Sequence, residues 1–328
     1  MNPHRIGIAL AAFLMASGMA SKPAAAEDWP TRPVTMVIPF AAGGPTDAVG
    51  RVVAQRLSET LGQQVVVENV GGAGGMTGAS RVAHAAADGN MFLFGGASSQ
   101  VYNQFLYKKP LYNSRTDLAP VALLTEQASV LIARKDLPAS TLAEFIRYLK
   151  DNKTASFGSA GVGSSTHLGC VLLNAAIGAD VTHVPYRGAA PAMQDMIGGR
   201  IDYMCDLVPD AVAHIRAGDV KPIAMLARSR SPILPDLATA DEQGLAGFEA
   251  TSWYGLFLPK DAPAAMVQKL HDAAVAAVET PSLRDRLRGL GVEIVAPERR
   301  SSDYLAHFIG EEFAKWSTPI RASGITVN

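Results

Sequence analysis

The stretch Val34 to Leu61, VTMVIPFAAGGPTDAVGRVVAQRLSETL, narrows the possible folds more than any other part of the chain. Val34, Met36, Val37 and Ile38 form a short apolar run, the pattern of a strand buried on both faces. Pro39 has no N–H for a ladder and stops it. Ala41-Ala42-Gly43-Gly44 lets the backbone turn with little side-chain bulk. Pro45 suits a first helical position, and Thr46 and Asp47 are polar first-turn residues. Val49, Val52, Val53, Leu57 and Leu61 then recur at helical spacing, while Arg51, Gln55, Arg56 and Glu59 face elsewhere. A helix N-terminus leaves N–H groups without partners and carries roughly half a positive charge. A Gly/Ala loop lets a carboxylate or phosphate approach it. The same segment also reads as an ordinary βα turn.

The pattern recurs. Ala155 to Phe157 leads into GSAGVGSSTH at 158–167, and a helix follows through Leu168, Val171, Leu172, Ala175 and Ala176. Two anion-ready helix starts suggest one per domain, with a ligand between them. Between the two units, Gln64–Glu68 and Met91–Phe94 read as strands and Ala79–Ala87 as a helix. The glycine-rich loop Asn69–Gly78 lacks G-x-G-x-x-G, because Thr77 holds the sixth position, and no Lys follows it; dinucleotide and P-loop readings are excluded. Gly95 to Ser99 reads as a loop. The alternation predicts a parallel α/β sheet with ligands beyond its carboxyl ends. Further on, Val121–Leu124, Val130–Ala133, Val181–Pro185, Ile201–Cys205, Pro222–Leu226 and Thr251–Leu258 read as strands. Leu142–Lys150, Ala190–Ile197, Ala264–Val278, Ser282–Leu290 and Ser302–Trp316 read as helices.

At 328 residues the chain can form two domains, each with its own core. Its formal net charge of −1, with no basic stripe, argues against a nucleic-acid partner. Met1–Ala26 reads as a signal peptide: Arg5, an apolar run Ile6–Ala20 too short to span a bilayer comfortably, and an A-x-A site at Ala24–Ala26. An exported, soluble protein starting at Glu27 is expected. Cys170 and Cys205, in an oxidising compartment, fit either one disulfide or two separately buried thiols; their spacing matches no zinc site.

Ser164, His167 and Asp206 could be read as nucleophile, base and orienter of a secreted serine hydrolase. The loop lacks G-x-S-x-G, and ligand donors or helix caps fit Ser164 and His167 more simply. Asp47 would repel a bound anion unless it caps its helix or binds an amine. Arg187, in VPYRG, could pair with an anion or lie on the surface. Phe40 faces the crevice mouth, where it could touch a ligand or close the core.

The segments WPTRPVTMVIPFAAGGPTD, VVVENVGGAGGMTGA, AAADGNMFLFG, FGSAGVGSSTHL, THVPYRGAAPAMQDMIGGRIDYM and EEFAKW together resemble the Bug family of periplasmic solute-binding proteins, the TctC-type receptors of tripartite tricarboxylate transporters. The resemblance covers nearly all of the chain after the leader. It implies a two-domain α/β Venus-flytrap fold with a ligand cleft between lobes, at 27–125 plus 248–328 and 126–247. It implies capture of a small aliphatic or aromatic mono- or dicarboxylate and delivery to a two-component membrane permease, with no catalysis, cofactor or metal. A partnership with a membrane sensor kinase is the alternative listener. Carried over, the first-lobe binding loop is Phe40, Ala41, Gly43, Gly44, Thr46 and Asp47, with Ser98 beside it. The second-lobe loop is Ser159, Gly161, Ser164, Ser165, Thr166 and His167, with Asp206 at a strand end.

Overall fold

The computed structural model describes residues 29–327, so the expected signal peptide lies outside the described residues. The first half of the chain runs β1 (Val34–Ile38), α1 (Pro45–Leu61), β2 (Val65–Asn69), α2 (Met76–Ala83), β3 (Met91–Gly96), the short α3 (Asn103–Leu106) and β4 (Leu118–Arg134). Next come α4 (Leu142–Asp151), β5 (Ser156–Ser159), α5 (Ser165–Ile177), β6 (Thr182–Pro185), α6 (Ala189–Ile197), β7 (Tyr203–Leu207), α7 (Val208–Ala217) and β8 (Val220–Leu226). The chain closes with β9 (Thr251–Pro259), α8 (Ala264–Glu279), α9 (Pro281–Gly289), β10 (Val292–Ile294) and α10 (Ser302–Ala322).

These elements make two α/β layers that share β4. In one, β2, β1 and β3 are parallel, and β9 joins β3 antiparallel. Leu118–Ala128 of β4 pairs with β9, and β10 lies on its other side. In the other, Ser129–Arg134 of β4 lies between β7 and β8, and β5 links β7 to β6 in parallel. Helices cover both faces of each layer, giving two apolar clusters per lobe. Val53, Phe94 and Leu270 belong to one cluster, Leu123, Trp253 and Leu305 to its counterpart across the sheet. Phe145, Phe157 and Tyr203 centre a third, and Met193, Met204 and Val212 a fourth.

Four expectations need correction. The sheet is mixed rather than parallel, because the lobes meet through antiparallel crossing strands. The two strands at 121–124 and 130–133 are one strand of 17 residues. Its polar middle is still extended, with Thr125, Gln127 and Ser129 buried at alternate positions. The helix placed at 79–87 starts at Met76, because Gly72, Gly74 and Gly75, all at positive φ, turn the chain in time. Gly95–Ser99 is not a loop: β3 runs through Gly96, and Ser98–Tyr102 coils at once into a wide helical turn. The helices α3 and α7 and the strand β10 were not expected.

Candidate ligand-binding cleft

The starts of α1 and α5 face each other across a cavity of about 20 Å³. Phe40, Gly44 and Thr46 line it from one side, and Ser164, Ser165 and Thr166 from the other. Ala97 and Ser98 after β3, Leu207 after β7, and Ser252 and Tyr254 of β9 complete the wall. No charged side chain lines it among the described residues. The Thr46 and Asp47 N–H groups make no hydrogen bond among the described residues, as a first helical turn dictates. The space suffices for about one water molecule, so the lobes are shut.

The first loop is held from behind. Asp47 is 4% exposed and does not line the cavity. Its carboxylate accepts from Gly43 N–H at 2.9 Å, Arg51 Nε at 2.9 Å and Asn69 Nδ2 at 2.9 Å. Burial alone would raise its pKa, but Arg51, Gly43 and Asn69 together hold it below the usual carboxylate value. Asp47 therefore positions the loop. Gly43 sits at φ +86, a conformation that costs other residues roughly 1–2 kcal/mol. Thr46 Oγ1 lies 3.0 Å from Tyr254 Oη, which ties α1 to the crossing strand.

The second loop is also self-supporting. Ser164 is the N-cap of α5: its Oγ accepts from His167 N–H at 3.2 Å and donates to Gly161 O at 2.7 Å. Thr166 Oγ1 accepts from Ala160 N–H at 2.9 Å. Ser159 Oγ meets His183 Nε2 at 2.7 Å and accepts from Gly161 N–H at 3.1 Å. The His167 ring points into the lobe, with its centroid 4.2 Å from that of His183. Burial, reinforced by His183, lowers its pKa to about 3. Its Nδ1 accepts from Gly163 N–H at 3.3 Å and makes no bond to the Ser164 hydroxyl. The serine hydrolase reading fails on this geometry.

Side chains and backbone also join the two halves of the site across the seam. Ser98 Oγ accepts from Ser165 N–H at 2.9 Å, the position a ligand oxygen would take at this helix start. Ser165 Oγ is 3.0 Å from both Ser98 Oγ and Ser252 Oγ. Buried Asn103 donates from Nδ2 to Gly74 O at 3.0 Å, while its Oδ1 lies against Gly163 of the opposite loop. Ala41 N–H reaches Arg187 O at 3.4 Å.

Asp206 lies behind the cavity rather than in it, fully buried beside Asp210 of α7. Its Oδ1 accepts from Leu207 N–H at 2.9 Å, and the Oδ2 atoms of both aspartates have no hydrogen-bond partner among the described residues. Burial drives the Asp206 pKa up, and Asp210 adds to the rise; burial also raises Asp210. The folded pair keeps a proton that the unfolded chain releases near pH 3.9. Stability from this pair is therefore full below that pH and falls as pH rises above it. Asp206→Asn keeps an acceptor for Leu207 and offers Asp210 an amide donor. It is expected to raise stability in urea by about 1 kcal/mol at pH 8 and by nothing at pH 4. A loss at pH 8 would refute the raised pKa of the pair.

Of the residues expected at the site, Phe40, Gly44, Thr46, Ser98, Ser164, Ser165 and Thr166 meet at the cavity. Ala41, Gly43, Asp47, Ser159, Gly161, His167 and Asp206 support it from outside. Sequence reasoning missed Leu207, the last residue of β7, and Ser252 and Tyr254, inward positions near the start of β9. It also missed Asn103 and Asp210, which sit on helices that were not expected.

Residues 49–325 match the family model described as "Tripartite tricarboxylate transporter family receptor". The chain is 42% identical over 275 residues to the Agrobacterium vitis "UPF0065 protein in the TAR-I ttuE-ttuC' intergenic region", covering 84% of this chain and 79% of that one. The structure of the periplasmic binding protein BugD superposes with a TM-score of 0.88 at 38% identity, covering 91% of this chain and 99% of BugD. MatC from Rhodopseudomonas palustris, solved with bound malate, superposes with a TM-score of 0.86 at 41% identity, covering 89% of this chain and all (100%) of MatC.

Proposed function

We infer the function from the family: this chain belongs to the tripartite tricarboxylate transporter receptor family, a family of periplasmic solute-binding proteins with the two-lobed flytrap fold and not of enzymes. From that membership we propose that it captures a small organic mono- or dicarboxylate between its lobes and delivers it to a two-component membrane permease. One observation carries the reading. Two helix starts, α1 and α5, aim at one cavity whose polar side-chain lining is hydroxyl groups, with no basic side chain among the described residues. Such a site holds an anion through N–H groups, helix dipoles and hydroxyls.

The cavity is far too small for an organic acid, so the lobes must part to admit one. We place the lobes at 29–125 with 248–327 and at 126–247, with the hinge in the middle of β4 and in the segment entering β9. The ligand shifts the open–closed equilibrium by its differential affinity for the closed state. The malate bound to MatC makes malate the first probe.

Thermal unfolding with malate, succinate, butyrate and benzoate tests the proposal. A ligand at a hundred times its Kd adds about 2.7 kcal/mol, which raises Tm by roughly 5–10 °C. No shift with any of the four acids overturns it. Delivery is checked by uptake: deleting the gene should abolish transport of the acid that binds, and restoring the gene should recover it.

A further inference from the structure

A second hollow of about 670 Å³ lies at the seam between the lobes. Ala160 lines the inner cavity, and the next two residues of the same loop, Gly161 and Val162, line this outer one. Gly72 and Ala73 form one wall, Tyr186 and Arg187 another. Arg187 is the one charged residue on this lining among the described residues. Its side chain is exposed and makes no hydrogen bond or ion pair among the described residues. The acid bound to the neighbouring Tyr186, Asp195, already has its partners: it accepts from Tyr186 Oη at 2.7 Å and pairs with Arg200.

The backbone of Arg187 is fixed while its guanidinium is free. Its carbonyl accepts from Ala41 N–H across the seam, and Gly188 packs against Ala41 so closely that a Cβ there would come within 2.7 Å of the Ala41 Cβ. Ala41 follows Phe40, which lines the inner cavity. A net charge of −1 gives the molecule no overall attraction for an anion, and the inner lining has no cation among the described residues. A lone positive charge at the entrance of a low-dielectric cleft concentrates anions there.

We propose that Arg187 is a steering residue that captures the incoming carboxylate at the cleft entrance before the lobes close on it. This rests on the carboxylate-receptor reading. Steering acts on the association rate and is screened by salt, whereas the closed cavity sets the dissociation rate.

Stopped-flow binding, read by the fluorescence of Trp253 between the cavity-lining Ser252 and Tyr254, tests the proposal with malate, succinate, butyrate and benzoate. In about 20 mM salt, Arg187→Gln should slow association by about three- to tenfold and leave dissociation unchanged. Arg187→Glu should slow it further, and Arg187→Lys should keep the wild-type rate. In about 500 mM salt the four proteins should associate alike. An unchanged rate in Arg187→Gln at low salt overturns the steering role alone, as does a loss that persists at high salt. Wild-type protein that binds none of the four acids overturns the receptor reading with it.

Discussion

Gly163→Ala is expected to leave the protein folded and to weaken carboxylate capture by about a hundredfold or more. Gly163 lies at φ +87, and a Cβ there would overlap Asn103 Oδ1. Asn103 cannot swing aside, because it is fully buried and its amide is bonded to Gly74 O. The two groups come from opposite lobes, so the overlap exists only when the lobes are shut. Opening relieves it, and apparent affinity falls with the closed population. A hundredfold loss corresponds to about 2.7 kcal/mol. Gly178→Ala is the control: its φ of +65 carries a similar backbone cost, but nothing lies within 4 Å of its Cβ. Calorimetric titration should find that control binding like the wild type. Gly74→Ala, whose Cβ would overlap Val162 O, should repeat the Gly163 result. Unchanged affinity in both seam variants would sink the mechanism.

Removing the disulfide should have the largest effect on stability. Cys170 of α5 and Cys205 of β7 are joined, with a sequence separation of 35. Both are fully buried in the cluster around Phe157 and Tyr203. Closing a loop of that length in the unfolded chain is worth about 4 kcal/mol by chain entropy. The Cys170→Ala/Cys205→Ala double variant should lose about 3–4 kcal/mol in urea unfolding and melt about 10 °C lower. Alanine avoids burying hydroxyl groups without partners. A loss under about 1 kcal/mol, or two thiols titrating in the unfolded wild type, would contradict the bond.

The first βα unit was legible almost to the residue, because its signals are local: an apolar run, a stop at Pro39, small residues and a proline helix start. The Ser159–Thr166 loop was legible for the same reason. What failed was non-local. The polar middle of β4 reads as a break, since its pairing partners on β9, β7 and β8 lie far along the chain. Helix α7 was lost because Asp206 looked like the end of its strand, although Val208-Pro209-Asp210 is a helix start. In the candidate site, hydroxyl residues on helix starts announced themselves. Ser252 and Tyr254 did not, because inward positions of a buried strand look like core. Asp47 was recognisable as polar, but its role as a brace for Gly43 needed Asn69 and Arg51 in place.

Strand β4 serves both sheets without a break, so the halves of this molecule are not beads on a string. Any gape between them has to be absorbed as torsion along one laddered ribbon and its neighbour β9. Nor can one half melt and spare the other, since each would strip the ribbon from its companion. A scanning calorimeter should record a single endotherm, and the slowest-exchanging amides should cluster along the ribbon that bends.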